Sequence, residues 1–200
     1  MTVSIDDNLK NEIDKTISLF KQKKFNDALI LSNKLIEKEN NIPFLLNLNG
    51  LINLSLEKWS NAILAFQKAV QTDVKYVEAY NNMGVAYSHL GDHNKAIKNY
   101  TKAIQIKKDY SNAYNNLASH YDDVGNYNDA IENYVSALEF NPDHINAQNN
   151  LIHLINFFNP KKFKNNSIIK ANNEIKNLEM VISINNSISN ENLFKYLSMC

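Results

Sequence analysis

The 200-residue chain contains no arginine; every strongly basic side chain is a lysine. Arginine's planar fork is what grips phosphate or carboxylate through two bonds at once, so that mode of recognition is missing. Basic and acidic residues balance at 21 each, giving a net charge of zero. Nucleic-acid binding leans on cationic contacts to phosphate, and this chain has no electrostatic footprint for it. One cysteine, Cys200, permits neither an internal disulfide nor a thiolate metal cluster. Four glycines leave none spare for a phosphate-cradling loop. The first residues, MTVSIDDNLKNEID, carry acids early and no apolar core, unlike a secretory signal. The most apolar run, Pro43 to Leu56, is interrupted by Asn47, Asn49, Asn53 and Ser55, which suits a core-facing helix rather than a membrane span. The expectations are a cytoplasmic protein with no nucleic-acid or membrane partner and no cofactor.

What is present is a period. Ala28, Ala62, Ala96 and Ala130 lie 34 residues apart. Ala69, Ala103 and Ala137 follow in a second register with Leu35 in the earlier slot, and Phe66, Tyr100 and Tyr134 in a third. Phe25, Trp59, His93 and Tyr127 give one ring per copy. The glycines fall in two columns, Gly50 with Gly84 and Gly91 with Gly125. A fixed period of this length marks a stacked helical-repeat array. Small residues belong where helix axes cross closely. Gly91 and Gly125 suit the left-handed residue that ends a helix. Asn26, Ser60, Asn94 and Asn128 are favoured cap types, so the second helices are expected to start there.

The unit reads as helix, tight turn, helix. Val77 to Tyr110 is one copy, with helices near 77–90 and 94–106. Ser111 to His144 is the next, broken by Pro142. Pro43 to Tyr76 precedes them, with proline in a first helical turn. Leu9 to Ile42 is a weaker copy with Thr16 and Ser32 in the glycine and aromatic slots, as an end repeat exposed to water is expected to be. The array is expected over 5–158, with repeats at about 9–42, 43–76, 77–110 and 111–144 and a half repeat at 145–158. Residues 159–200 follow as a loop with capping helices, or a linker, Ser167 and Ser189 starting the two helices.

These units resemble tetratricopeptide repeats. In the best copy the residues that carry the resemblance are Tyr80, Met83, Gly84, Tyr87, Ala96, Tyr100 and Ala103, with Lys108 where proline is usual. The fourth copy offers Tyr114, Leu117, Ala118, Tyr121, Ala130, Tyr134, Ala137 and Pro142. The resemblance implies an all-α, right-handed superhelix of about four helix-turn-helix repeats plus C-terminal capping helices. It also implies that the first helices line a concave binding face. On that face Asn82, Asn116 and Asn150 recur in register, beside a second file of Asn47, Asn81, Asn115 and Asn149.

Asparagine is a poor helix former, because its side chain competes for the backbone. Paired asparagines repeated in mid-helix ask for a reason. One is a ladder of amides, each offering two donors and an acceptor to the backbone of an extended peptide. Such a ladder is similar to that of the repeat superhelix in O-linked N-acetylglucosamine transferases. The other is family consensus in an asparagine-rich chain. Neighbouring candidates are Glu78, Val85, His89, Asn112, Ser119, Asp122, Asp123, Asn146 and His153, a neutral to mildly acidic lining. The basic clamp that chaperone adaptors of the family use for acidic tails is matched here by Asn47, Leu51, Glu78, Asn81 and Asn82, so a strongly acidic tail is disfavoured.

His120-Tyr121-Asp122 spells the H-x-D fragment of non-haem iron sites, but it lies inside a helix without a third ligand, and no metal site is expected. His89 and His93 are four apart with Gly91 breaking the helix between them; packing in the ring column accounts for His93. Asp122 and Asp123 diverge in direction as helix neighbours and read as a solvated pair rather than an acid/base couple. The chain is expected to be non-catalytic. The stretch from Asn150 through Pro160 to Ile175 resembles the junction by which repeat arrays enter glycosyltransferases or 2-oxoglutarate oxygenases. Two functions follow: a scaffold that binds an extended peptide or partner segment, or the substrate-recognition part of a protein-modifying enzyme, glycosyl transfer ahead of hydroxylation. Self-assembly through the end faces is a third possibility, and the oligomeric state stays open.

Overall fold

The computed structural model describes residues 7–157, and every element among them is an α-helix. The helices are α1 (Asp7–Lys21), α2 (Phe25–Lys38), α3 (Pro43–Ser55), α4 (Trp59–Thr72), α5 (Val77–His89), α6 (His93–Ile106), α7 (Ser111–Asp123), α8 (Tyr127–Phe140) and α9 (Ile145–Phe157). The chain divides into two compact units after Lys108. In the first, α1–α2, α3–α4 and α5–α6 are antiparallel hairpins, α2 packs on α3, α4 on α5, and α1, α3 and α5 touch in order. In the second, α7–α8 is a hairpin, and α9 packs on both its helices.

The alanine columns do what close crossing requires. Ala28, Ala62, Ala96 and Ala130, and likewise Ala69, Ala103 and Ala137, have no exposed surface. Around Ala62, Phe66 and Ala69 the core continues into Ala79 and Met83 of the next hairpin. The two mid-helix glycines serve as seats for aromatic rings. A Cβ at Gly84 would lie 2.5 Å from Cε1 of Tyr100, and one at Gly50 would run into the Phe66 ring. In the fourth hairpin Ala118 and Tyr134 fill those slots, both buried. In the first, Thr16 and Ser32 fill them: Thr16 Oγ1 donates to the Glu12 carbonyl at 2.9 Å, and Ser32 Oγ accepts from Asn49 at 2.8 Å.

Every hairpin turns through the same backbone path. Lys23, Glu57, Gly91 and Gly125 are left-handed, with φ of 59, 58, 72 and 77°. Each turn closes by the same pair of bonds, as in Gly91 N–H to Ser88 O and Asp92 N–H to Tyr87 O, both 3.0 Å. This corrects the expected caps. The second helices begin at Phe25, Trp59, His93 and Tyr127, so Asn26, Ser60, Asn94 and Asn128 lie inside them. The cap residue follows the left-handed residue directly and is Lys24, Lys58, Asp92 or Asn126. Of the four, only Asp92 accepts a backbone N–H, that of Lys95 at 3.2 Å. The ring column needs a second correction. Phe25 and Trp59 are half-buried, but His93 and Tyr127 are exposed, so burial in a ring column does not account for His93. Phe25 reaches back across its turn to Phe20 at 5.7 Å, whereas Trp59 stacks on a ring of the following helix, His89 of α5.

Candidate binding face

The first helices carry the asparagine files, and each unit shows what they do. In the first unit Asn82 Nδ2 donates to Asn47 Oδ1 at 3.0 Å, bridging α5 to α3, and Asn81 Nδ2 lies 3.4 Å from Asn82 Oδ1. In the second, Asn150 Nδ2 approaches Asn115 Oδ1 at 3.4 Å, bridging α9 to α7, and Asn115 Nδ2 lies 3.3 Å from Asn116 Oδ1. The two bridges are the same contact two repeats apart. Inner amides Asn47, Asn81 and Asn115 are buried, at 6, 5 and 7 % exposure, whereas outer amides Asn82, Asn116 and Asn150 are half-buried. An amide has two donor hydrogens and two acceptor lone pairs. At Asn82 the two bonds take one of each kind, leaving a donor and an acceptor on a side chain whose orientation is already set. Asn149 departs from its file: it is exposed.

The other candidates divide. Glu78 is exposed in the first turn of α5, beside the positive end of the helix dipole. Val85 is half-buried further along the same helix. His89 is turned to another task, its ring stacked on Trp59 at 4.2 Å and 5°. Asn112 is exposed and its Oδ1 lies 2.9 Å from Nε2 of His144. The His144 Nδ1 accepts the Ala147 N–H at 3.2 Å, which leaves the ring proton on Nε2 to donate to Asn112. His144 therefore starts α9 and ties it to α7; its place after Pro142 was its only sequence signal. Asn146 is exposed.

Ser119, Asp122 and Asp123 gather around a residue the sequence placed only in the core, Tyr134. Its phenol sits on α8 with side-chain hydrogen bonds to Ser119 and Asn150, and burial pushes it up to about 12, reinforced by Asp122 and Asp123. Asp122 is half-buried; burial raises its carboxyl, Asp123 adds to this, and His153 opposes it. His120 is buried at 2 % exposure, with Asp122 directed elsewhere, and no group of three metal-ligating side chains forms among the described residues. No helix among them is long and apolar enough to cross a membrane. The stretch beyond Phe157 that resembles an enzyme junction, including the helices expected after Ser167 and Ser189, lies outside the described residues.

Residues 77–110 and 111–144 each match the family model of the tetratricopeptide repeat, and residues 50–91 match a further model described as TPR repeat. No curated protein matches the chain. Among solved structures, the crystal structure of MamA protein shares 20% identity at a TM-score of 0.65, over 90% of this chain and 97% of that one. MamA 41-end from Desulfovibrio magneticus RS-1 shares 17% at 0.66, over 92% and 100%. The first TPR of Spaghetti (RPAP3), bound to the HSP90 peptide SRMEEVD, shares 22% at 0.56, over 62% and 99%. At these identities the likeness is one of fold. The alanine and aromatic columns, the repeated hairpin turn and the matched models agree that the chain belongs to the tetratricopeptide-repeat family.

Proposed function

We propose that the chain is a non-catalytic scaffold that binds an extended peptide or partner segment along its first-helix face. The observation that carries this is the recurring amide bridge, Asn82 to Asn47 and Asn150 to Asn115, which holds half-buried amides with bonding capacity to spare. An extended peptide carries one donor and one acceptor per residue, and preset amides meet them without loss of side-chain freedom. Asn82, Asn116 and Asn150 are the direct contacts; Asn81 and Asn115 position them. Glu78, Asn112, Ser119, Asp122, Asp123 and Asn149 supply the lining. His89, stacked on Trp59, belongs to the rim. Support also comes from family members seen with peptides, such as the RPAP3 domains solved with HSP90 and HSP70 peptides. Those peptides, SRMEEVD and SGPTIEEVD, end in acidic residues. Here Asn47, Asn81, Asn82 and Glu78 stand in place of a basic clamp, so a neutral or mildly basic segment fits better. No feature of the described residues favours the modifying-enzyme reading, and the cytoplasm remains our assignment of compartment.

Replacing Asn82, Asn116 and Asn150 together by alanine tests this on a peptide array. Helicity should hold, because alanine is the better helix former. Some stability should be lost, on the order of 1–3 kcal/mol, because buried Asn47 and Asn115 lose a donor. Array binding at a temperature well below unfolding should fall. Undiminished binding by the folded triple variant would reject the amide face.

A further inference from the structure

The second hairpin departs from its neighbours at two core positions. Asn49 and Asn53 stand where the third carries Met83 and Tyr87 and the fourth Leu117 and Tyr121. In the third hairpin Met83 is buried, Tyr87 packs against the α4 core, and Lys95 Nζ of α6 lies 5.3 Å from the Tyr87 ring centroid. The chain thus fills the space between α4 and α6 with a tyrosine of its own. The corresponding space between α2 and α4 has no such plug. It is an open cleft of about 260 Å³, with Asn49 and Asn53 at its base, Leu29, Ile36 and Leu64 as its apolar wall, and Asn33, Asn61 and Lys68 sharing the lining.

The base is ordered. Asn49 Nδ2 donates to Ser32 Oγ and to Asn33 Oδ1, both at 2.8 Å. Asn53 Nδ2 donates to the Asn49 backbone carbonyl at 2.9 Å and to Asn49 Oδ1 at 3.0 Å. Both hydrogens of each amide are committed, and what Asn53 keeps for an incoming group is its carbonyl oxygen. The rim is mixed, with exposed Leu64 standing beside exposed Asn61 and Lys68. Ile30 and Leu64 share one column and are 70 and 57 % exposed, while later hairpins place Lys98 and Glu132 there.

We propose that this cleft is a second binding pocket, taking one tyrosine side chain from a partner protein segment. The ring lies between Leu29, Ile36 and Leu64, and the phenol hydroxyl donates to Asn53 Oδ1. Tyrosine is the occupant because a mixed lining suits an amphipathic ring: Leu29, Ile36 and Leu64 cover its faces, and Asn53 Oδ1 takes the donor at its tip. The next hairpin fills the equivalent slot with that residue, Tyr87. A single aromatic anchor in a desolvated pocket is also the usual centre of a protein interface. The pocket opens between second helices, so it stands independently of the amide face.

The test titrates the full-length chain with N-acetyltyrosinamide while following the side-chain amide NMR signals of Asn49 and Asn53. Those signals should shift saturably, and N-acetylphenylalaninamide should bind roughly tenfold more weakly, having no donor for the buried acceptor. Asn53→Tyr restores the residue of the later hairpins and should abolish binding with melting temperature unchanged or raised. Should that variant not fold, Leu64→Lys decides: it copies Lys98 at an exposed site and should weaken binding several-fold in an intact protein. The proposal fails if no saturable shift appears at Asn49 and Asn53, if the phenylalanine analogue binds as well, or if Leu64→Lys binds undiminished.

Discussion

The first two hairpins and the next two follow one backbone path with different residues. Where α5–α6 and α7–α8 turn on Gly91 and Gly125, α1–α2 and α3–α4 turn on Lys23 and Glu57 at nearly the same φ. A side chain in that region costs about 1–2 kcal/mol relative to glycine. The strain is tolerated because helix packing on both sides of the turn dictates where the chain must go. Repeat geometry is therefore imposed by the buried crossings, Ala28, Ala62, Ala96 and Ala130, and turn chemistry adjusts stability around it.

The sharpest break in the comparison is at the glycine seats. Gly84 lies under Tyr100 with no room for a methyl, whereas Ala118 sits buried beside Tyr134. Gly84→Ala should destabilise by about 1–3 kcal/mol through overpacking, against the helix propensity of alanine. Ala118→Gly should cost only about 1 kcal/mol, from propensity. Denaturant unfolding of both variants measures the difference. A stabilised Gly84→Ala would show that the two seats are alike.

The aromatic resting on that seat gives the next contrast. Phe66 has no proton to lose, but the buried Tyr134 phenol is pushed up to about 12 from an ordinary 10. The folded state favours the protonated phenol, so this contribution is complete below pH 10. It disappears as pH rises from about 10 to 12, because the unfolded chain releases its proton first. The loss should be on the order of 2 kcal/mol. Tyr134→Phe should flatten the alkaline arm of a stability–pH curve, leaving a remainder from Tyr114 and Tyr121, whose phenols burial also raises. An alkaline arm unchanged by the substitution would move the titration elsewhere.

The turns themselves come next. Glu57→Gly, or Lys23→Gly, should stabilise by about 1 kcal/mol, the removed strain exceeding the gain in unfolded-chain freedom. Gly91→Ala should lose about as much. Equal midpoints for Glu57→Gly and the parent would mean that the neighbouring helices relax the turn without help.

The helices were legible because each column repeats: α5 runs Val77–His89 and α6 His93–Ile106, against expectations of 77–90 and 94–106. Gly50 and Gly84 stood out in the same way, as glycines in register, but that they seat the Phe66 and Tyr100 rings was visible only in the packing. The caps were not. Asparagine is so common here that Asn26, Asn94 and Asn128 imitate a cap signal, while Lys24 and Lys58 hold the cap position without announcing it. The left-handed turns at Lys23 and Glu57 were hidden for a related reason, since neither residue type prefers that conformation. On the binding face the asparagine files were visible, but the bond joining them was not. It links residues 35 apart, one more than the period, a relation that column reading does not examine. Asn49 and Asn53 were read as interruptions of an apolar run; only the open space beside them makes their loss of Met- and Tyr-like bulk meaningful.

The smallest effect expected is at the caps, and it separates the hairpins by one atom group. Asp92 sits directly after Gly91, and its Oδ1 accepts the Lys95 N–H at 3.2 Å while Oδ2 meets Lys95 Nζ at 2.7 Å. That side-chain bond to Lys95, with the backbone bond beside it, lowers the Asp92 carboxyl below its ordinary value. Its support therefore stands above the usual aspartate range and fades as pH falls through the lowered value. Lys58 occupies the same position after Glu57, brings no acceptor, and sets a positive charge at the positive end of α4. Lys58→Asp should transplant the cap, stabilising by about 0.5–1 kcal/mol near neutral pH. The gain should shrink on acidification as the new carboxylate takes up its proton. Combined with Glu57→Gly, it gives the second hairpin the Gly-Asp pair of the third. The two gains should not sum cleanly, because adjacent residues share one turn. A double variant no more stable than Glu57→Gly alone would mean that the Asn61 N–H at the start of α4 is already well served by water, and that capping contributes nothing to the difference between these hairpins.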